Sequence, residues 1–223
     1  MSKSVQFEYH VFPAVPPVGF SRQNLHNQAF NFWFSFWAPV LKNLDGTILS
    51  VADFFRQTWI GVVFARTGSD YQVVGFHTST YFYLESAACV QHPYFQSTYE
   101  PDFVDFLRAQ GARSLMTIEY LGIAEEFRRR SFEGALPISF IHVVFGLAFK
   151  LAKSISVDAV SGAARADLKV DQRAMEFGMS SRAVRTFHGV PVKTDYVLAQ
   201  NFRECPHFTE RMLIDSLWNA RNS

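Results

Sequence analysis

The sequence predicts an α/β (α+β) chain, a mixed central sheet of about seven strands flanked by helices, and three observations carry that expectation. The stretch Ser114–Lys153 joins a strand-like apolar run, Leu115–Ile123, to a long apolar segment of helical period through a compact basic turn. Around it the hydrophobic period switches repeatedly between 2 and 3.6, in the order β, α, α, β, β, α, β, α, β, α, β, β. Finally, 223 residues with 48% hydrophobic side chains are enough for a full core without disulfides or metals. No internal repeat or linker breaks the chain, so it reads as one domain over residues 1–223.

Ser4–Phe12 alternates Val5, Phe7, Tyr9 and Val11 with Gln6, Glu8 and His10, a half-buried strand ended by Pro13, Pro16 and Pro17. Asn24–Leu44 is helical. Asn24, Asn27, Asn31, Ser35 and Lys42 trace its polar stripe, and Phe30, Trp33, Phe34, Trp37 and Leu41 its apolar side. Pro39 is expected to kink or end it. Core packing is the plainer reading of the aromatic run Phe32–Trp37, and the wall of an acyl-chain site or a weak membrane-surface contact is the sharper one. Ser50 is placed to cap a short helix, Val51–Gln57. Trp59–Arg66 and Tyr71–Leu84 form a hairpin about Thr67-Gly68-Ser69-Asp70. Residues 85–100 read as irregular, and Pro101–Gln110 as a short helix stopped by Gly111.

In the central segment, Ser139, His142, Gly146, Lys150 and Lys153 share one face of a helix that is otherwise Ile, Phe, Val, Leu and Ala, with Pro137 in its first turn. A strand, a basic turn (Arg128-Arg129-Arg130-Ser131-Phe132-Glu133-Gly134) and a helix start together suit an anion, phosphate above all. Ile155–Val160 is then a strand parallel to the central one, because a helix separates them. Asp167–Phe177 is a helix closed by Gly178, Ala183–Phe187 and Lys193–Ala199 are the last strands, and a terminal helix covers Thr209–Asn219, about 208–220.

A net charge of +1 gives no global field for nucleic acid. Cys89 and Cys205 lack metal spacing and fit a reducing compartment. The N-terminus has no signal-peptide core, and no run of about eighteen apolar residues suggests a membrane span, so a cytoplasmic protein is expected. The seven histidines form no i, i+4 metal pair, and no metal is expected; His142 stands out because it lies on the helix stripe near the anion end. A Gly-x-Ser-x-Gly elbow, a P-loop and a dinucleotide fingerprint are all missing.

Leu121-Gly122-Ile123-Ala124-Glu125-Glu126-Phe127-Arg128-Arg129-Arg130-Ser131-Phe132-Glu133-Gly134 resembles the cofactor motif of the GCN5-related N-acyltransferase (GNAT) superfamily, roughly Gln/Arg-x-x-Gly-x-Gly/Ala. Arg128 matches its first position. Ser131 stands at the first glycine, and Glu133, or Gly134 one residue late, at the second. The order of elements is similar to the GNAT fold over nearly the whole chain, and Phe177-Gly178-Met179 resembles the end of that fold's fourth helix. The degenerate motif is closest in character to the N-acyl amino acid synthase and acyl-homoserine lactone synthase branch, whose donors are often acyl carrier proteins.

The resemblance implies splayed fourth and fifth strands with a phosphopantetheine arm between them. The main chain of Leu121, Gly122 and Ile123 would pair with its amides, and the backbone of Arg129–Gly134, beside Arg128, would hold its phosphate. Glu119 would be the base that takes the proton from an amine. Glu125 and Glu126 belong to the loop surface or neutralise the arginines. Ala174 occupies the position at which many acetyl-transferring members carry a tyrosine. Arg165, Lys169, Arg173, Arg182 and Arg185 form a second basic group that suits an acidic acyl carrier protein, or else a solvated helix face. The expected activity is transfer of a medium or long acyl chain from an acyl-carrier or acyl-CoA thioester to the amine of an amino acid or similar small molecule. The 24 phenylalanines favour a dry pocket for such a chain. An acetyl-CoA-dependent acetyltransferase and a non-catalytic acyl- or partner-binding domain are the alternatives.

Overall fold

A computed structural model describes residues 5–128 and 138–221. Its strands are β1 (Gln6–Pro13), β2 (Trp59–Thr67), β3 (Asp70–Tyr83), β4 (Ser114–Ile123), β5 (Ala159–Arg165), β6 (Ser180–Phe187) and β7 (Val190–Leu198). Its helices are α1 (Gln23–Asp45), α2 (Val51–Phe55), α3 (Ala87–Val90), α4 (Pro93–Thr98), α5 (Phe103–Ala109), α6 (Phe140–Ser154), α7 (Val170–Glu176) and α8 (Phe208–Asn219). The strands form one seven-stranded mixed sheet in the order β1-β2-β3-β4-β5-β7-β6, with β4 and β5 parallel. Among the described residues, no helix is long and apolar enough to cross a membrane. The chain divides into two compact units: Met1–Ser79, Tyr120–Ala148 and Cys205–Ser223 form the first, and Thr80–Glu119 with Phe149–Glu204 the second.

The first unit is built on the β1–β2–β3 meander, whose ladders run antiparallel from Gln6 opposite Arg66 and from Trp59 opposite Ser79. Its core joins Phe12, Trp33, Phe54, Ile60, Phe64 and Phe76, all sealed from solvent. Each such side chain contributes roughly 1.5–3 kcal/mol by leaving water. Ser50 caps α2 in a capping box with Asp53. Pro39 does not end α1, which runs on to Asp45. Pro39 and Ser35, the residue whose carbonyl the proline leaves without an intrahelical donor, are both exposed.

The polar stripe of α6 has a covering that its sequence did not announce. Within this unit Ile214 of α8 packs so closely on Gly146 that a Cβ there would lie 2.3 Å from its Cδ1. The rings of His142 and His207 lie 4.6 Å apart, and Glu210 of α8 accepts the Ser139 N–H at 2.9 Å. That carboxylate satisfies one of the donors that a helix start leaves open.

In the second unit, aromatic α3–α5 pack around Phe82, Phe95, Tyr99, Phe103, Leu107 and Leu115. The stretch 85–100 is therefore not irregular: Ser86 accepts from the Cys89 N–H, and His92 caps α4 ahead of Pro93. These helices are only one turn or so long, below the reach of a periodicity argument. The strand expected at Ile155–Val160 begins instead at Ala159. Ser156 adopts φ 56°, and Val157 N donates to Ala152 O at 3.3 Å, so Ile155–Val157 close the helix and do not extend a strand. Asp158 then ties the starts of β4 and β5 together. Its Oδ2 accepts from Arg113 N, Ser114 N and Ser114 Oγ, each at 2.9 Å. Burial pushes the Asp158 carboxyl up, but these hydrogen bonds outweigh it and hold it below the usual carboxylate value.

Gly178, which closes α7, has φ 94°, and a Cβ there would lie 2.4 Å from the Asn201 carbonyl oxygen. Because the clash is with backbone and the φ is left-handed, Gly178→Ala is expected to cost about 2–4 kcal/mol. A chemical denaturation series on the two proteins measures it, and a loss under about 1 kcal/mol would contradict this packing.

Candidate functional site

β4 carries the sequence-predicted base and, further on, the residues expected to meet a pantetheine arm. The parallel ladder between β4 and β5 pairs Leu115–Ile118 with Ala159–Gly162, after which β4 continues to Ile123 and β5 to Arg165. Gly162 stands at the ladder's end, where a Cβ would lie 3.0 Å from Ile118 O. Glu119 is the next residue of β4.

In the second unit Glu119 is half-buried, and two threonine hydroxyls fix its orientation. Thr80 Oγ1 donates to Glu119 Oε1 at 2.8 Å, and Thr117 Oγ1 donates to the same oxygen at 2.9 Å. Both threonines are buried. A carboxylate gripped by two buried hydroxyls keeps one rotamer, which a base needs if it is to meet a substrate proton at a set distance. The ladder places Ser161 directly opposite Thr117, and Ser161 Oγ lies 2.8 Å from Tyr99 Oη. Burial pushes the Tyr99 phenol well above its ordinary value; hydrogen bonds with Ser161 and Tyr94 oppose that, and the Glu119 charge adds to it. Tyr99 therefore stays protonated and acts as a hydrogen-bonding group.

Sequence reasoning missed this row of hydroxyls, Thr80, Thr117, Ser161 and Tyr99. Thr117 two residues before Glu119 was a readable signal, since i and i+2 share a strand face. Tyr99 lies in the stretch 85–100, whose sequence reads as irregular, and Ser161 lies just past the strand expected at Ile155–Val160.

In the first unit, Gly122 lies among the aromatic residues of α1. A Cβ on it would sit 2.7 Å from Phe76 Cε1 and 3.2 Å from Phe36. Phe32 and Phe36 meet Phe76 edge-on at 5.5 and 6.2 Å, and Trp33 and Trp37 meet Tyr120 at 5.5 and 5.3 Å. Rings that pack edge to face in this way fill their own space, which favours the core-packing reading of Phe32–Trp37. Arg128 donates from Nε to Ile123 O at 2.9 Å and lies 5.2 Å over the Phe36 ring. Ala124 N donates to Val74 O at 2.9 Å. A pantetheine amide at Ile123 would thus share a carbonyl that Arg128 already uses. Leu121 is half-buried on the same strand. Glu126 pairs with Gln72, and Glu125 is exposed.

Arg129, Arg130, Ser131, Phe132, Glu133, Gly134 and Pro137 lie outside the described residues. Of the second basic group, Arg165 pairs with Asp167 (3.0 and 2.5 Å), Arg182 with Glu100 and Asp102 (3.3 and 2.6 Å), and Arg185 donates to Tyr99 O. These three already have partners within the unit. Ala174 is buried in α7, where it offers no acid to a leaving group.

No protein-family model matches this sequence, and no curated protein does so significantly. Solved structures do match. A mosquito arylalkylamine N-acetyltransferase like 5b superposes with TM-score 0.54 at 13% identity, over 87% of this chain and 100% of that one. FeeM, an N-acyl amino acid synthase from uncultured soil microbes, gives 0.56 at 11%, over 88% and 93%. BjaI, a CoA-dependent acyl-homoserine lactone synthase, gives 0.56 at 10%, over 97% and 93%. With its seven-stranded mixed sheet and parallel fourth and fifth strands, this chain has the fold of the GCN5-related N-acyltransferases.

Proposed function

We propose that this protein is an N-acyltransferase that moves a medium or long acyl chain from a phosphopantetheine thioester to the amine of an amino acid or similar small molecule. One observation carries the reading: a carboxylate, Glu119, held by two buried hydroxyls on β4 at the residue just past the last β4–β5 pair. Glu119 takes a proton from the amine as its nitrogen attacks the thioester carbonyl; the new C–N bond forms, the C–S bond breaks, and the thiolate leaves. Ala174 gives that thiolate no proton, so it leaves unassisted or is protonated by water. Leu121, Gly122 and Ile123, with Arg128–Gly134, are assigned to the donor's pantetheine and phosphate.

Structures of this fold include an acyl-homoserine lactone synthase, an N-acyl amino acid synthase and an arylalkylamine N-acetyltransferase, so donor choice has to be measured. The missing tyrosine at Ala174 favours the long-chain side, with an acyl carrier protein as the donor. A thermal-shift series with acyl thioesters from acetyl to palmitoyl, on coenzyme A and on acyl carrier protein, tests this. A donor present at a hundred times its Kd adds about 2.7 kcal/mol, a rise of roughly 5–10 °C for a chain of this size. A shift that grows with chain length supports the reading. A shift with acetyl-CoA alone replaces it with an acetyltransferase, and no shift with any thioester, free or carrier-bound, removes it.

A further inference from the structure

Within the first unit, α8 lies on the polar stripe of α6 and brings two histidines together that no sequence spacing joins. His142 stands in the first turn of α6, and His207 immediately precedes α8. Their ring centroids are 4.6 Å apart with planes tilted by 45°, and a ring nitrogen of each lies within 4.8 Å of one on the other. Contacts that do not involve the histidines hold the two helices in this register. Ser139 N donates to Glu210 Oε1 at 2.9 Å, and Ile214 packs on Gly146. The pair is therefore preset by its scaffold, as a ligand site requires.

The two rings differ in access. His142 is buried, whereas His207 is exposed. One ring is thus fixed, and the other can swing aside to admit an ion. Two imidazoles on one tetrahedral zinc, each at about 2.0–2.1 Å, hold their nitrogens roughly 3.4 Å apart. Starting from a separation under 4.8 Å, small turns of the exposed ring reach that distance.

We propose that His142 and His207 chelate one divalent transition-metal ion, zinc above all, and that the ion pins the start of α8 to the first turn of α6. Imidazole nitrogen suits zinc, copper and nickel, while magnesium and calcium take oxygen ligands. Two protein nitrogens leave two tetrahedral positions to water, so this is an open site. With half the ligands of a structural zinc site, it binds with a Kd on the order of 10 µM. Unfolding separates the two histidines, so the ion binds and stabilises the folded state. No step of the acyl transfer proposed above uses it.

The test is a calorimetric titration of the full chain with zinc chloride at neutral pH, joined to NMR of the imidazole carbons. One ion per chain is expected, and the His142 and His207 signals should move together. The signal of His188, in the turn between β6 and β7 of the second unit, should stay in place. Millimolar magnesium should not compete. Zinc at a hundred times its Kd should raise Tm by roughly 5–10 °C. The His207 side chain does not cap α8, so His207→Ala should keep the metal-free Tm near wild type. It should weaken zinc binding tenfold or more and remove most of the rise in Tm. No binding at about 1 mM zinc, a hundredfold above the expected Kd, would overturn the proposal and leave the histidines as packing alone. So would a His207→Ala protein with wild-type zinc affinity, or a His188 signal that moves as far as that of His142. Every readout is taken without a thioester, so this inference and the acyl-transfer reading fail separately.

Discussion

Glu119→Gln should lower acyl transfer by about 10²- to 10⁴-fold in kcat, the span that a positioned general base supplies. Glutamine keeps the size of the side chain and can still accept from Thr80 and Thr117 through its amide oxygen, so the fold and donor binding should survive. What it loses is the capacity to take a proton. The donor-induced rise in melting temperature should therefore match wild type while turnover collapses. That pairing separates an enzyme from a domain that only binds acyl groups. A variant within about threefold of wild type, with the same pH profile, would move the base elsewhere. Thr117→Val removes one of the two hydroxyls and should produce a smaller loss, about tenfold, which Thr117→Ser restores. A merely structural threonine would not show that rescue.

Gly61→Ala should be the most damaging small substitution in the first unit. Tyr9 Oη lies 2.9 Å from His77 Nε2, and His77 Nδ1 lies 3.0 Å from Ser79 Oγ, so a buried hydrogen-bonded chain crosses the meander directly over Gly61. A methyl on Gly61 would lie 2.1 Å from His77 Nε2 and 2.5 Å from Tyr9 Oη. Neither ring can retreat without breaking a hydrogen bond in a dry core. Overpacking costs about 1–3 kcal/mol and a stranded buried polar group about 1–3 more, so a loss of roughly 3 kcal/mol or more is expected. For a chain of this length that lowers Tm by roughly 6–12 °C. Adding His77→Ser to Gly61→Ala removes the worse clash and should cost less than the two changes summed, a coupling that a double-mutant cycle reads directly. A Gly61→Ala protein as stable as wild type would mean that Tyr9 and His77 do not meet over this strand. Burial holds the His77 ring neutral, with its pKa pushed down to about 3. Its contribution is present above the ordinary histidine value and is lost as pH falls below it.

Much of the fold was legible because strong periodicity marks its longer elements. The alternation of Ser4–Phe12, the hairpin about Gly68 and Ser69, and the apolar run of α6 each state their period over many residues. What was missed fails for physical reasons. α3 and α4 are too short to show a period and are held by a serine cap, a histidine cap and Pro93. Ile155 and Val157 are β-branched and apolar, yet they close a helix, because tertiary packing overrides propensity. The polar stripe on α6 looked like a functional face and is in large part a seat for α8, through Gly146, His142 and Ser139. In the candidate site, Glu119 could be read as an acidic residue on the central strand, with its role as a base implied by the family resemblance alone. Its partner Thr80 could not be read, because that hydroxyl comes from a strand far away in sequence.

The reaction proposed for this protein is thioester-dependent amide formation. Its most direct test incubates the wild-type protein and Glu119→Gln with acetyl-, octanoyl- and palmitoyl-thioesters, on coenzyme A and on acyl carrier protein, together with a mixture of amino acids and small amines. Mass spectrometry then identifies the amides. A medium- or long-chain N-acyl product is expected with wild type, and a hundredfold or greater loss with the variant. Acetylated amines alone, or thioesters that remain intact with every amine, would contradict it.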